Sequence, residues 1–270
     1  MILFPPAKLN LGLQIIGKRS DGFHDLQTVF YQIPLKDIIE ILPDPDLNMG
    51  CCMFKSTGLP IPSGENLCER AYQILHNRHS LPGVHIHLHK IIPMGAGLGG
   101  GSADATYTLR ILNDMFNLNL SSDELMQHAL FLGSDCPLFV DGSSKYAEGR
   151  GDILQDIEVN LQGMKLLVIN PKIHISTAES FSKIIPRTAE SCVNIIQKNP
   201  KEWKDNLKND FEKVLFTEYE QLKNIKDSLY EMGAVYASMS GSGSSIYGLF
   251  SDIIPKKKWP LDYFLWQTII

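Results

Sequence analysis

At 270 residues the chain exceeds the usual single domain of about 100–200 residues, so one large or two fused domains are expected. An apolar fraction of 44% and a charged fraction of 20% are those of a globular protein with an ordinary core. A net charge of -5 and a pI near 5.9 argue against nucleic acid or an anionic membrane as the main partner. Any phosphate must then be bound locally, by backbone N–H groups and a few placed cations.

The first residues, Met1 to Lys8, lack the basic and long apolar regions of a secretion signal, and no run approaches the ~18 apolar residues of a membrane span. Five cysteines, with no C-x-x-C spacing, suit a reducing compartment and carry no zinc signature. A soluble, cytoplasmic protein is expected, without membrane or nucleic-acid partners, as a monomer or weak homodimer.

From Lys8 to Ile16 the residues alternate, with Leu9, Leu11, Leu13 and Ile15 on one side and Lys8, Asn10, Gly12 and Gln14 on the other. This pattern predicts a strand with one face on the core. Gly17 to Gly22 supplies turn chemistry, and Phe23 to Ile33 reads as the returning strand. Val84 to His89 alternates again and runs directly into Pro93-Met94-Gly95-Ala96-Gly97-Leu98-Gly99-Gly100-Gly101-Ser102. Ala105, Leu109, Leu112 and Phe116 then share a helical face, and Ser121-Ser122-Asp123-Glu124 has the pattern of a capping box. Leu166 to Ile169 is a strand, and Leu222, Ile225, Leu229 and Met232 mark a helix ending at Gly233. Strands Val235–Met239 and Ile246–Phe250 flank Ser240-Gly241-Ser242-Gly243-Ser244-Ser245. Alternating strands and helices with a break near 155–165 predict an α+β protein of two lobes.

Five glycines between Gly95 and Ser102, at the junction of a strand and a helix, let the backbone approach a ligand closely. The helix start adds free N–H groups and the positive end of the dipole, which suits a di- or triphosphate. The Walker spacing is absent, and the Rossmann spacing lacks its following acidic residue. Gly100 is expected at φ > 0, so that valine there should abolish ATP binding without unfolding the chain. The Ser240–Gly243 loop is equally consistent with a polar hairpin turn. Lys8 and Asn10 need partners if buried, and a solvated strand face satisfies them as well. Asp135, between Gly133-Ser134 and Cys136-Pro137, reads as a turn aspartate, and spacing alone does not join it to Lys8. His85, His87 and His89 share a strand face without the further ligands a zinc site wants.

The segments Pro6–Leu11, Pro93–Ala103 and Ser240–Gly243 resemble the three ordered motifs of the GHMP kinase superfamily. Within it, Arg19-Ser20-Asp21-Gly22-Phe23-His24 and Gly133-Ser134-Asp135-Cys136-Pro137 resemble the branch that acts on a cytidine-diphosphate-linked methylerythritol. The resemblance implies a two-lobed GHMP kinase fold. Its N-terminal lobe (1–160) would be ribosomal-protein-S5-domain-2-like, and its C-terminal lobe (161–270) a ferredoxin-like α/β lobe. It implies ATP-dependent phosphorylation of the 2-hydroxyl, with Mg²⁺, in the methylerythritol phosphate route to isoprenoids.

By matching position, Asp135 would be the base and Lys8 would orient the hydroxyl and offset charge. ATP would be held by Pro93, Met94, Gly95, Ala96, Gly97, Leu98, Gly99, Gly100, Gly101, Ser102 and Ala103, with Ser102 close to the metal. Ser240, Gly241, Ser242 and Gly243 would join them. Asn10, Phe23, His24, Thr177 and Phe181 would bind substrate, His24 reading the cytosine edge while Phe23 and Phe181 stack on its faces. Phe23 stands where tyrosine is usual, which keeps the stacking face and loses a hydroxyl. The Lys256–Trp259 run matches no motif. A homoserine, mevalonate or sugar kinase of the same superfamily would lack the Arg19–His24 hairpin, and a catalytically dead sensor would not need Lys8, Asp135 and Ser102.

Overall fold

The alternation at the start of the chain folds as two strands, β1 (Ile2–Leu3) and β2 (Pro6–Lys18), and the chain returns as β3 (His24–Lys36). The intervening turn closes through Arg19 N donating to Phe23 O, with Gly22 at φ 86°, in the left-handed region that glycine enters freely. This computed structural model describes residues 1–64, 66–187 and 190–270. After β3 come β4 (Ile38–Pro43), β5 (Cys52–Gly58), α1 (Leu67–His79), β6 (Val84–Lys90), α2 (Gly100–Met115) and α3 (Ser122–Leu132). Ser121 and Glu124 form the capping box read from the sequence, each accepting from the other's backbone N–H, and Asn66 with Glu69 does the same for α1.

The second half holds β7 (Lys145–Glu148), β8 (Ile153–Asp156), β9 (Lys165–Asn170) and three short helices, α4 (Thr177–Ser182), α5 (Cys192–Ile196) and α6 (Trp203–Asn206). Then α7 (Asp210–Glu218) and α8 (Glu220–Glu231) precede β10 (Tyr236–Met239), β11 (Ile246–Phe250) and β12 (Phe264–Ile269). Leu222, Ile225 and Leu229 form the buried face of α8, as their spacing predicts, while Met232 falls just past its end.

Two compact units interleave along the chain. The first is Met1–Ala7, Leu35–Met94 and Gly99–Ser143, and the second is Lys8–Pro34, Gly95–Leu98 and Ser144–Ile270. In the first, a sheet of order β1-β4-β6-β5 packs with α1, α2 and α3 around Ile39, Ile41, Tyr72, Ile86 and Leu109. The polar face of β6 is satisfied locally. His85 meets Asp44 at 2.7 Å, and Thr57 lies 3.0 and 2.9 Å from His87 and His89.

The second unit has two antiparallel sheets, β2-β3-β7-β8 and β10-β11-β9-β12. Its core joins Leu13, Ile15 and Leu26 of the first hairpin to Ile169, Phe211, Leu222 and Leu229. Here the one-faced reading of β2 is corrected, because every residue from Pro6 to Ile15 is buried. Gly12, at φ 71°, breaks the simple alternation, and the polar side has protein partners in place of water. No helix among the described residues is long and apolar enough to cross a membrane.

Candidate active site

The glycine-rich segment does three different things with its glycines. Gly95, Gly97 and Gly99 take φ of 61°, 75° and 72°, where a side chain is strained. Gly97 also lies so close to the Ser240 loop that a Cβ would stand 2.0 Å from Ser240 O. Gly99 is the N-cap of α2 and provides no side-chain cap, so the first-turn N–H groups of Gly100, Gly101 and Ser102 have no intrahelical acceptor. That is an anion cradle at the positive end of a helix dipole.

The expectation for Gly100 is corrected. It is helical, with no positive φ, and a Cβ would meet Lys90 Nζ at 2.8 Å and Ile92 Cγ2 at 2.9 Å. Its smallness serves packing beneath the helix start, so valine there should damage the fold before it reaches a phosphate.

In the same unit, Asp135 precedes a 3₁₀ turn, Cys136–Phe139, that Pro137 starts and that follows directly on α3. Thr106 ties this turn to the start of α2, its hydroxyl lying 3.0 Å from Ser102 O and 2.8 Å from Cys136 O. Burial pushes the Cys136 thiol up to about 11, with the neighbouring Ser102 hydroxyl acting the other way. Ser102 and the Asp135 turn, 33 positions apart in sequence, are thus brought together within one unit.

The second unit assembles the other residues. Lys8 and Asn10 are 3% and 2% exposed, which removes the solvated-face reading. Lys8 Nζ donates to Asn10 Oδ1 at 2.6 Å and lies over the Phe30 ring, while its backbone N donates to Leu98 O. Asn10 Nδ2 donates to Thr28 Oγ1, its N–H donates to Ser240 Oγ, and its carbonyl accepts from Tyr247. Ser240 Oγ in turn donates to Gly97 O at 2.8 Å, and Ser245 N to Ala96 O. The first strand, the glycine-loop tip and the Ser/Gly loop therefore form one hydrogen-bonded group. The Ser240–Gly243 segment thus packs beside the glycine-loop tip as well as turning the chain.

At the other end of the hairpin, Arg19 pairs with Asp21 and Asp25 at 3.0 and 2.9 Å, bracing the turn. Phe23 is 54% exposed beneath the Arg150 guanidinium, whereas the ring stacked on Phe181 is that of His24, 5.3 Å away. Thr177 at the start of α4 is 3.0 Å from the Ser242 hydroxyl.

The protein-family model "GHMP kinases N terminal domain" matches residues 66–143, and "GHMP kinases C terminal" matches 192–256. Along the chain it is 47% identical over 255 residues to the 4-diphosphocytidyl-2-C-methyl-D-erythritol kinase of Bacteroides fragilis, covering 93% of this chain and 92% of that one. The enzyme of the same name from Porphyromonas gingivalis is 40% identical over 276 residues, with 100% of each covered. The chain belongs to the 4-diphosphocytidyl-2-C-methyl-D-erythritol kinase family of GHMP kinases. A crystal structure of 4-(cytidine 5'-diphospho)-2C-methyl-D-erythritol kinase superposes with a TM-score of 0.79 at 30% identity, over 92% of this chain and 90% of that one. The Methanococcus jannaschii mevalonate kinase shares the fold, with a TM-score of 0.68 at 16% identity over 93% and 90%.

Two further features of this GHMP kinase escape a reading of its sequence. Lys90, Asp37 and Asp104 form a buried ion cluster in the first unit. Lys90 Nζ bonds Asp37 and lies 2.7 Å from Asp104 Oδ2, and Asp37 Oδ1 accepts from Ile91 N and Ile92 N at 2.5 and 2.9 Å. Burial opposes the Lys90 charge, but Asp104 and Asp37 outweigh it and hold the ammonium above the usual lysine range. With two carboxylates for one cation, burial pushes Asp104 up to about 7 against the pull of Lys90, and Asp104 Oδ1 has no hydrogen-bond partner. The only sequence signal was a charged residue closing the apolar register of β6.

The second feature is a recess of about 150 Å³ beside Gly101, walled by Ile61, Pro62, Leu67, Leu88 and Met94, with Ser63, Asn66 and Asp104 as polar groups. No motif announces it, because its walls come from four separate segments.

For a divalent cation, the first unit offers the Ser102 hydroxyl, a hard oxygen donor at the start of α2. Among the described residues no group of three His, Cys, Asp or Glu forms a dedicated cage. That donor set fits Mg²⁺, which takes one or two protein oxygens and completes its shell with phosphates and water.

Proposed function

We propose that this protein transfers the γ-phosphoryl group of ATP to the 2-hydroxyl of 4-diphosphocytidyl-2-C-methyl-D-erythritol, giving the 2-phosphate and ADP. The observation that carries the reading is similarity of 40–47% along nearly the whole chain to relatives bearing that enzyme's name. The step belongs to the methylerythritol phosphate route to isopentenyl diphosphate. The protein acts in the cytoplasm as a monomer or weak homodimer.

Phosphoryl transfer needs positioning and charge stabilisation more than covalent chemistry. In this reading the N–H groups of Gly100, Gly101 and Ser102 hold the phosphates, and the Ser240–Gly243 loop supports the glycine-loop tip. The apolar recess beside Gly101 takes the adenine ring, whose two faces suit its aliphatic walls. Asp135 accepts the proton of the 2-hydroxyl as the O–P bond forms and the bond to the β-phosphate oxygen breaks. Lys8 orients that hydroxyl and offsets charge at the acceptor, its own ammonium held by Asn10. Mg²⁺ would be held by Ser102 together with the phosphates and would supply charge neutralisation. His24, Phe23 and Phe181 hold the cytosine, and Thr177 supports the substrate from α4.

A coupled assay of ADP release tests this directly, with the cytidine-linked alcohol beside methylerythritol 4-phosphate and phosphorus NMR to locate the new phosphate. Turnover is expected only with the cytidine-linked alcohol. Comparable turnover of the unlinked alcohol would overturn the assignment.

A further inference from the structure

Four consecutive residues at the start of α7 reach three parts of the second unit: the end of β10, β2 and the Phe181 ring. Asn209 is 2% exposed and uses its side chain fully. Its Oδ1 accepts from Phe211 N at 3.0 Å, which caps the helix, and its amide donates to Met239 O and Gly241 O, both at 2.8 Å. Capping needs only the acceptor. The two donated bonds grip the end of β10 and the loop that follows it. Glu212 completes the grip, its Oε1 accepting from Met239 N at 2.8 Å while Oε2 pairs with Lys226 at 2.6 Å. Asp210 Oδ2 accepts from Ile15 N at 2.9 Å, anchoring the turn to β2. Phe211 presents its ring to the edge of Phe181 at 4.9 Å and 88°, and Phe181 stacks on His24.

We infer that Asn209-Asp210-Phe211-Glu212 is a positioning turn with two separable outputs. Asn209 and Glu212 hold the Ser240–Gly243 loop against Gly97, which sets nucleotide affinity. Phe211 holds Phe181 in its stacking pose, which sets affinity for the cytidine-linked substrate. This rests on the reading above that the loop serves ATP and that Phe181 serves the cytosine. The physical basis is that a buried Ser/Gly loop has little side-chain bulk to fix its pose, so its backbone hydrogen bonds carry much of that work. Its pose is set by whichever buried donors meet its carbonyls, and an unmet buried carbonyl is costly.

The test uses the full chain with Asn209→Ser, Asn209→Asp and Phe211→Leu. Both Asn209 substitutions keep a capping oxygen and remove the two amide donors, so helix capping is held constant. Phe211→Leu keeps buried apolar volume and loses the ring. The measurements are titration of a non-hydrolysable ATP analogue, KM for each substrate, kcat and thermal unfolding. The Asn209 variants should weaken analogue binding and raise KM for ATP by about 5- to 50-fold, leaving KM for the cytidine-linked alcohol within about twofold. Phe211→Leu should do the reverse. A purely structural role would lower the unfolding temperature and the active fraction without separating the two KM values. Equal movement of both, or of neither, overturns the inference. If the Asn209 variants do not fold, Phe211→Leu decides alone: a KM change confined to the cytidine-linked alcohol supports the turn, and any other result overturns it. Wild-type protein that fails to bind the analogue would instead refute the underlying ATP reading.

Discussion

Gly97→Ala is the sharpest perturbation of the glycine-rich loop, because two independent penalties meet at that residue. Its φ of 75° is left-handed, and a methyl group there would stand 2.0 Å from Ser240 O and 3.1 Å from Gly243 O. The conformation costs alanine roughly 1–2 kcal/mol, and overpacking adds about 1–3 kcal/mol if the neighbour yields only partly. The Ser240 carbonyl must retreat by about 1 Å to restore an ordinary contact, which carries the Ser240 hydroxyl away from Gly97 O. Because the penalty falls on two loops and not on a core, nucleotide affinity should absorb most of it. Titration of an ATP analogue should show binding weakened by about 30-fold or more, with only a few degrees lost in thermal unfolding. Gly101→Ala is the matched control. Its added methyl would find Met94 Cε at an ordinary 3.7 Å and no positive φ, so the protein should fold like wild type. Gly100→Val should instead lose stability first, since its side chain would collide with Lys90 and Ile92. Affinity of Gly97→Ala within about threefold of wild type, in a protein of unchanged stability, would refute the reasoning.

Asp135→Asn should fold normally and lose about 10²–10⁴-fold in kcat with ATP affinity unchanged, and retention of more than about a tenth of kcat would remove it as the base. Phe181→Ala should raise KM for the cytidine-linked alcohol by roughly 5- to 150-fold and leave KM for ATP alone, while Phe23→Tyr should be nearly silent; equal effects on both substrates would argue against stacking. Asp104 titrates at about 7 in the fold against 3.8 as its ordinary value, so the native chain holds an extra proton between those pH values. Its contribution is fully present below the lower value and is lost as pH rises through the higher, by at most about 1.4 kcal/mol per pH unit. Urea unfolding of Asp104→Asn across that window should show a flatter pH dependence than wild type, and an identical slope would mean Asp104 is ionised throughout.

The local pattern of residues was enough for most elements and for the kind of chemistry. Ile246–Phe250 appears as a strand with the bounds its run of apolar residues marks, and Ser121 with Glu124 caps α3. The crowding of glycines after β6 marked the junction of that strand with a helix, although the helix begins at Gly100, inside the glycine run. These signals are local because a period, a cap or a turn involves residues a few positions apart.

What only the tertiary structure decided lies in pairs far apart in sequence. Whether Lys8 and Asn10 face water or protein depended on Thr28, Ser240 and Tyr247, which no periodicity connects to them. Gly100 is small because Lys90 and Ile92 lie against it, a packing fact that its place in a glycine run conceals. The Arg19–His24 hairpin lies in sequence between β1 and β4 of the first unit's sheet, yet its strands pack with the C-terminal elements, since Leu13, Ile15 and Leu26 enter that core. Asn209 to Glu212 look like an ordinary helix start until Met239, Gly241 and Phe181 are set against them. Sequence determines which groups are available and which local shapes they prefer. Which buried donor meets which buried acceptor is decided only when the packed core brings distant segments together and water no longer competes.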